Sequence, residues 1–275
     1  MTCRVLIMTL MFCVCAGVLV QAEETIPDPN LQQVIRAVLE KKQIKKDAID
    51  PADLKSIFFL DARGKGIKSL AGLQHCTNLA EVKLSDNEIG DLSPLAELKN
   101  IQSLYLSRNQ VSDLKPLAQL VKLQYLELSG NKIESLEGLQ GLSNMRALYL
   151  SENNISDLAP LKPLSQLRSL YLNGNQLKSL EPIAELRWVS TLGLKNNQLT
   201  DLTPLGSYTE LRFTFLEGNP VTNYGVLVSM AKADIEGPKR FAPYWFLYLD
   251  EENLSAEAKA QVDQLKALGV RVNRK

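Results

Sequence analysis

Apolar and polar positions alternate in one frame that returns along most of the chain, and the segment LYLSENNISDLAPL, residues 148–161, shows it clearly. Leu148 and Leu150 flank Tyr149, and Asn153 follows three residues after Leu150. This alternation predicts a short strand with its leucines on one face and the intervening residues on the other. The asparagine of the frame recurs every 22 residues, at Asn87, Asn109, Asn131, Asn153, Asn175, Asn197 and Asn219. A fixed period of this length predicts a stack of similar coils.

The repeating unit L-x-x-L-x-L-x-x-N-x-L is the pattern of a leucine-rich repeat. Stacked coils of this kind form a parallel sheet with one strand per coil, and the leucines fill the space behind it. The asparagine follows the strand, where the chain turns inward and leaves backbone groups without a partner in the sheet. Its amide has two donors and one acceptor. We therefore expect the seven asparagines to form a structural ladder and not a ligand site.

The wall opposite the strands is encoded in the segments GDLSPL, SDLKPL, SDLAPL and TDLTPL. Each places an aspartate three residues before a proline, at Asp91, Asp113, Asp157 and Asp201. A short polar cap followed by proline favours a single turn of 3₁₀ helix. In one coil Gly138 replaces the proline. Narrow turns on one wall and strands on the other predict a curved solenoid with the sheet on its concave face.

Both ends of the solenoid carry segments that can cover its open edges. Asp28 followed by Pro29 predicts the start of a helix, and Asp50 followed by Pro51 predicts a shorter one. After Asn219 the period stops and the sequence is richer in aromatic residues. There, residues 255–268 read as a helix and the VRV segment, residues 270–272, as a short strand. Covering the unpaired edges of the sheet is sufficient reason for both segments.

These patterns together define one α/β fold. It is a curved right-handed leucine-rich repeat solenoid with a parallel sheet on the concave face, short 3₁₀ turns on the convex face, a helical N-terminal cap and a mixed C-terminal cap. The expected organisation is a signal peptide at 1–22, the N-terminal cap at 23–56, about eight coils at 57–219 and the C-terminal cap at 220–275.

The 22-residue period, the S/T-D-L-x-P-L segments and the N-terminal segment from Ile26 to Leu79 resemble those of the bacterial internalin-type leucine-rich repeat proteins. The resemblance covers about Ile26 to Asn219 and is specific to the fold. It implies a concave face that binds protein ligands, often on host cells. The chain shows no cell-wall sorting motif, in contrast to the surface-anchored members of this family.

Aromatic residues occupy outward strand positions that core packing does not require to be aromatic. Tyr149 and Tyr171 should lie side by side on neighbouring strands, which are about 5 Å apart. Tyrosines ringed by charges are typical of protein-binding hot spots. The expected ligand-binding residues on the concave face are Tyr105, Tyr125, Glu127, Tyr149, Tyr171, Arg108 and Glu152. A role limited to stabilising the sheet is the alternative for the tyrosines. For Trp188, both a ligand contact and a shelf for the C-terminal cap remain open.

The function class that this surface predicts is a non-catalytic module that binds a protein partner as a monomer. A carbohydrate or cell-wall binder that uses the same tyrosines is the alternative. An enzyme is disfavoured, because the chain has one histidine and no G-x-S-x-G, H-E-x-x-H or Gly-rich phosphate loop. Cys76 occupies a leucine position, and beside His75 it cannot complete a zinc shell. No cofactor and no metal are expected.

The first 22 residues place Arg4 before an apolar run and Val20-Gln21-Ala22 before two glutamates. This arrangement predicts a secretory signal cleaved after Ala22, and hence a secreted or periplasmic protein without a membrane span after cleavage. An uncleaved anchor is the alternative. Acidic and basic residues balance at 31 each, so nucleic acid is a poor candidate partner.

Overall fold

The computed structural model describes residues 25–252 and 254–274, so the signal peptide predicted for residues 1–22 lies outside the described residues. Within these ranges the chain forms four α-helices, α1 Pro29–Lys41, α2 Pro51–Leu54, α3 Gly225–Glu236 and α4 Ala256–Ala267. It also forms ten strands, β1 Phe59–Asp61, β2 Glu81–Lys83, β3 Ser103–Tyr105, β4 Tyr125–Glu127, β5 Ala147–Tyr149, β6 Ser169–Tyr171, β7 Thr191–Gly193, β8 Phe213–Phe215, β9 Phe246–Tyr248 and β10 Arg271–Val272.

The ten strands form one parallel sheet in chain order, which confirms the prediction of an α/β leucine-rich repeat solenoid with its sheet on the concave face. The middle residue of each repeat strand is buried, and Leu104, Leu126, Leu148 and Leu170 pair one behind another. The flanking residues of each strand point outward. Because the register never slips, residues 22 apart in the repeats lie in straight columns across the sheet.

Hydrogen bonds from the seven asparagines connect each coil to the one before it. In Asn153, Nδ2 donates to the carbonyls of Leu150 in its own coil at 3.0 Å and Leu128 in the preceding coil at 3.1 Å. Its Oδ1 accepts from the backbone N–H of Ile133 at 3.0 Å. Equivalent bonds join all seven asparagines to their neighbouring coils. Each amide thus satisfies backbone groups that the sheet leaves unpaired.

The convex wall is made of short turns, most of them 3₁₀, that begin at or just before the repeat proline. The aspartate carboxylate accepts from the backbone N–H two residues later, as Asp91 does from Ser93 at 2.8 Å. Where the aspartate is missing, a serine hydroxyl takes its place, as Ser179 does for Glu181 at 3.1 Å. Gly138 has a φ of 106°, and a Cβ there would lie 2.5 Å from the carbonyl oxygen of Leu114. Only glycine fits this coil without displacing its neighbour.

A single carboxylate joins the N-terminal cap to the first coil. Oδ1 of Asp28 accepts from the N–H groups of Asn30 and Leu31, both at 3.0 Å, and so caps α1. Oδ2 accepts from Lys68 at 2.8 Å and Ser69 at 3.0 Å. Burial opposes ionisation of this carboxyl, but the four backbone donors outweigh it and hold the pKa of Asp28 below its ordinary value.

The C-terminal cap extends the sheet by two strands, of which only the second is predicted from the sequence. The segment at β9 is not expected to be a strand, yet Phe246–Tyr248 pairs in parallel with β8, and β10 then pairs with β9. In place of 3₁₀ turns alone, α3 and α4 pack behind these strands. Thr214 replaces the buried leucine of β8, because its hydroxyl accepts from Nε1 of Trp245 at 2.9 Å.

Replacing Asn153 by alanine should cost about 2 kcal/mol of unfolding free energy, because it leaves the buried backbone N–H of Ile133 without a partner and removes one of the two amide donors from the carbonyls of Leu128 and Leu150. Asn154→Ala is the matched control, since this side chain is exposed. It should change stability by less than about 0.5 kcal/mol. Urea unfolding followed by circular dichroism measures both. Equal stability of the two variants would contradict the structural role of the ladder.

Asp28→Asn should destabilise the protein at pH 7 by about 2 kcal/mol, because an amide nitrogen cannot accept the bonds that Oδ2 accepts. A carboxyl with a lowered pKa stabilises the fold above its unfolded-state pKa of about 4 and loses that effect as pH falls through the folded-state value. The difference between wild type and variant should therefore shrink below pH 4. Urea unfolding at pH 7 and pH 3 tests this, and a difference that grows in acid would exclude it.

Candidate functional site

Two outward columns of side chains cross the concave face, one at each end of the strands. The column formed by the first residue of each strand contains Tyr125 of β4. The column formed by the third residue of each strand contains Tyr105, Glu127, Tyr149 and Tyr171 of β3 to β6. The register pairs Tyr149 directly with Tyr171. Tyr125 lies diagonally to Tyr105 and to Tyr149 on the neighbouring strands. All four tyrosines are partly exposed.

The four tyrosines form one continuous row of ring contacts. The ring centroids of Tyr105 and Tyr125 are 4.7 Å apart, and those of Tyr125 and Tyr149 are 5.1 Å apart. Tyr149 and Tyr171 are stacked with centroids 5.0 Å apart and planes 10° apart. We call these four residues the tyrosine row. The sequence-based expectation that Tyr149 and Tyr171 lie side by side agrees with this geometry.

Aromatic contacts continue from the tyrosine row into the C-terminal cap. Tyr171 reaches Phe215 across the intervening strand, with centroids 6.4 Å apart. Gly193 makes this contact possible, because a Cβ there would lie 2.7 Å from Cδ1 of Tyr171. Phe215 then stacks on Tyr248 at 4.9 Å. The alternation in FLYLD, residues 246–250, is the sequence signal that could have revealed this extension.

Stacking leaves the edges of the tyrosine rings available and covers their faces. The ring planes of Tyr149 and Tyr171 differ by 10°, while those of Tyr105 and Tyr125 differ by 33° and those of Tyr125 and Tyr149 by 38°. Neighbouring rings of the row thus turn their faces towards each other, in parallel or at a tilt. At one end of the row the Lys83 ammonium lies 5.6 Å from the Tyr105 centroid and covers that face. Burial raises the pKa of Tyr125 and Tyr171 above the ordinary value for tyrosine. These hydroxyls, like that of any tyrosine with an ordinary pKa, are protonated at neutral pH and able to donate hydrogen bonds.

Charged residues border one side of the tyrosine row. Nη2 of Arg108 donates to Oδ2 of Asp86 at 2.7 Å, and this bond holds the pKa of Asp86 below its ordinary value. Arg108 and Glu127 line a shallow depression of about 270 Å³ together with Tyr105 and Tyr125. Glu127 also accepts from the backbone N–H of Ser129 at 2.9 Å. Glu127 and Glu152 form no ion pair within the ranges that the structure describes.

Arg108 and Glu152 occupy a strained backbone position. The residue at this position has positive φ in all eight repeat coils, and half of these residues are glycine. Arg108 has a φ of 53° and Glu152 a φ of 55°. Such a conformation costs a residue with a side chain about 1 kcal/mol. In the coil that follows Arg108, and in the coil that follows Glu152, the same position is a glycine. The Glu152 side chain lies over the second of these glycines, because a Cβ on Gly174 would be 2.5 Å from Oε1 of Glu152.

Cys76 and Trp188, two residues of distinctive chemistry, are not part of the tyrosine row. Cys76 is fully buried, and burial raises the pKa of its thiol to about 12, so the thiol is inert at neutral pH. Trp188 is exposed, and the Arg168 guanidinium lies 5.2 Å from its ring centroid. Across residues 25–252 and 254–274 no group of acidic, histidine and cysteine side chains could hold a metal ion. No helix in the same ranges is long and apolar enough to cross a membrane.

Comparison with protein-family models matches leucine-rich repeats, twice as a two-copy unit at residues 99–141 and 143–185 and once as a single repeat at residues 75–92. Among curated proteins, internalin H of Listeria monocytogenes is 36% identical over 63 residues. That match spans 23% of this chain and only 11% of the relative.

Two solved structures extend the comparison over most of the chain. A leucine-rich repeat protein of Leptospira interrogans has a TM-score of 0.70 at 21% identity, covering 82% of this chain and 62% of its own, which shows a shared fold. Internalin C2 of Listeria monocytogenes has a TM-score of 0.70 at 33% identity. The alignment covers 75% of this chain and 91% of that structure. On the strength of this similarity, the chain belongs to the bacterial internalin-type leucine-rich repeat proteins.

Proposed function

We propose that this protein is a non-catalytic protein-binding module that acts outside the cytoplasm and docks its partner on the concave face. The observation that supports this most directly is the tyrosine row, four partly exposed rings in unbroken contact across β3 to β6. Solenoids of this kind use their extended concave surfaces for binding. Tyrosines held rigid by stacking lose little further entropy on binding, which favours affinity.

The chemistry of the surface indicates what the partner presents. The row offers ring edges and phenolic hydroxyls, which suit backbone carbonyls and other hydrogen-bond acceptors. Glu127 and Glu152 are free of ion pairs in the described residues, so a lysine or arginine of the partner can pair with them. The paired Arg108 and Asp86 bring both signs of charge to the rim. A mixed polar protein surface fits this arrangement.

The tyrosine row is less suited to carbohydrate. Sugars bind aromatic side chains through an open ring face. In this row the faces of Tyr149 and Tyr171 are turned to each other, and Lys83 covers one face of Tyr105. A protein partner that contacts edges and hydroxyls is therefore the better supported occupant of the concave face.

The strained backbone of Arg108 and Glu152 supports a binding role for the charged residues that border the tyrosine row. Glycine occupies the same backbone position in Gly64, Gly130, Gly174 and Gly218 at no conformational cost. Arg108 and Glu152 carry that cost and form no core contact, and strained residues of this kind cluster at functional sites. We infer that both contact the partner.

The first test replaces Tyr105, Tyr149 and Tyr171 together by serine and compares crosslinking capture from the cell envelope and medium with that of the wild type. Capture of the partner should fall by at least about 100-fold, since each buried tyrosine at a hot spot contributes about 2 kcal/mol. A second variant changes the same tyrosines to phenylalanine, which preserves the stack and removes the hydroxyls. It should show an intermediate loss.

The matched control removes two exposed aromatic side chains elsewhere, as Trp188→Ser with Tyr244→Ser. Circular dichroism and thermal melting establish that every variant is folded. Equal capture by the wild type and the serine triple variant would rule out the tyrosine row as the docking site. Loss of capture only in the control would move the site to the edge of the sheet.

Glu152→Gly separates binding from stability. Relief of the positive φ offsets the added chain entropy of glycine, so the free energy of unfolding should stay constant or rise by up to about 1 kcal/mol. Partner capture should fall at the same time. Glu134→Gly is the control, because Glu134 is exposed and does not have a positive φ. A Glu152→Gly variant that is less stable than Glu134→Gly, or that binds its partner at full strength, would contradict this account.

A further inference from the structure

A second surface lies along the edge where the strands begin, outside the tyrosine row. Arg146, Arg168, Ser190 and Arg212 each precede a strand, from β5 to β8. Backbone hydrogen bonds join them in order, with Arg168 donating to Arg146 at 2.8 Å, Ser190 to Arg168 at 2.8 Å and Arg212 to Ser190 at 2.7 Å. Three of the four positions that directly precede β5 to β8 therefore carry arginine, and Ser190 lies between the second and the third. Arg271 is the first residue of β10, one place further along its strand, and pairs with Phe246 of β9.

Aromatic rings contact three of these arginines, Arg168, Arg212 and Arg271. The guanidinium of Arg168 lies 5.2 Å from the Trp188 centroid, and that of Arg212 lies 5.2 Å from the Tyr244 centroid. Arg271 lies 4.9 Å from the Phe246 centroid. Stacking uses the flat face of a guanidinium and leaves its in-plane N–H donors free. We call Arg146, Arg168, Arg212, Arg271, Trp188 and Tyr244 the arginine edge.

The arginine edge carries positive charge that the protein itself does not neutralise. Glu185, three residues before Trp188, is already paired with Arg187 at 2.6 Å. Glu210 pairs with Arg240. None of the four arginines of the edge forms an ion pair in the described part of the chain. The molecule as a whole has a formal net charge of zero, so this is a local excess.

The aromatic rings of the edge differ from the tyrosine row in having open surface. Trp188 is 49% exposed and Tyr244 is 55% exposed, and the arginine contact occupies one side of each ring. An open aromatic face beside an oriented guanidinium can stack on a sugar ring while the guanidinium binds its carboxylate or sulfate.

Charge along the edge is sparse, with four arginines spread over the six strands β5 to β10. Neighbouring strands are about 5 Å apart, so consecutive arginines of the edge are about 5 to 10 Å apart. Proteins that bind single-stranded nucleic acid follow its backbone with a continuous positively charged groove. This molecule has no formal net charge, and Ser190 and Trp245 interrupt the line of arginines, so nucleic acid is the poorer fit. An acidic peptide would match the charges but would leave the open ring faces without a specific role.

We propose that the arginine edge binds an acidic polysaccharide, with the arginines pairing to its carboxylate or sulfate groups and Trp188 and Tyr244 stacking on its sugar rings. This surface is separate from the concave docking site. Both could be occupied at once, since the two surfaces share no residue.

The test measures binding of the purified full chain to immobilised alginate, which carries carboxylates, and to heparin, which also carries sulfates. Neutral dextran, polyuridylate and polyglutamate are the comparison polymers. We expect binding to at least one acidic polysaccharide that weakens with salt, and no binding to dextran. Preference between alginate and heparin identifies the anionic group. Absence of binding to both, or tighter binding to polyuridylate or polyglutamate, would overturn the proposal.

Variants assign the binding to the edge. Arg146→Ala with Arg168→Ala and Arg212→Ala should weaken it by at least about tenfold, because each loses a charge-assisted contact. The same three positions changed to lysine keep the charge but lose the planar fork, and should bind more weakly than wild type. The control Lys132→Ala with Lys162→Ala and Lys178→Ala removes equal charge from exposed positions outside the edge. If the arginine-to-alanine variant and the lysine-to-alanine control lost the same amount of polysaccharide binding, net charge alone would explain the loss, and the proposal would be contradicted.

Two further readouts separate this surface from the tyrosine row. The serine triple variant at Tyr105, Tyr149 and Tyr171 should bind the polysaccharide as wild type does. Saturating polysaccharide should shift the tryptophan emission of the wild type, and Trp188→Phe should abolish the shift, because the other tryptophan, Trp245, is fully buried. A shift that persists in Trp188→Phe would exclude stacking at Trp188.

Discussion

Every coil of this solenoid turns inward immediately after its strand, and the turn removes backbone donors and acceptors from both the sheet and the solvent. Unpaired groups of this kind would cost a kilocalorie or more each. Seven asparagine amides resolve this, one in each repeat coil after the first, with donors directed to two carbonyls and an acceptor directed to an N–H of the preceding coil. The asparagines pair the buried backbone groups and the leucines fill the core. The outward residues are therefore not needed for folding and can vary with function.

The repeat part of the fold follows from the sequence with little ambiguity, since each leucine and asparagine is confirmed by copies 22 residues away. The C-terminal cap does not follow as well. Its strand at Phe246–Tyr248 begins 33 residues after the start of β8, so the period no longer locates it. The leucine pattern is also broken at Thr214, which is buried. Its hydroxyl accepts a hydrogen bond from Trp245, and this partner is evident only from the folded structure.

The candidate binding surfaces, too, can be predicted from the sequence only in part. Columns of outward residues can be read from the register alone, and these place Tyr149 beside Tyr171. Ring orientation cannot be read in this way, because it depends on how neighbouring side chains lean, as Tyr171 leans over Gly193 towards Phe215. Trp188 and Arg168 likewise lie 20 residues apart in the chain, and no local pattern joins them. Orientation nevertheless decides the chemistry, since covered faces favour protein and open faces favour sugar.

The left-handed position after each strand limits how the solenoid can change in length. From Arg108 onwards, a residue with a side chain alternates with glycine, through Gly130, Glu152, Gly174, Asn196 and Gly218. Each side chain covers the glycine of the following coil, where a Cβ would lie 2.1 Å from the Asn196 amide oxygen in the last case. Loss of a glycine coil would place two such side chains on consecutive coils, as Asp86 and Arg108 already are, and those two form an ion pair. Removal of the Gly130 coil would bring Arg108 next to Glu152, which has the opposite charge, whereas removal of the Gly174 coil would bring Glu152 next to Asn196. A change in the length of this stretch should therefore be tolerated where it joins opposite charges, and elsewhere the pair of coils is the unit that preserves the alternation.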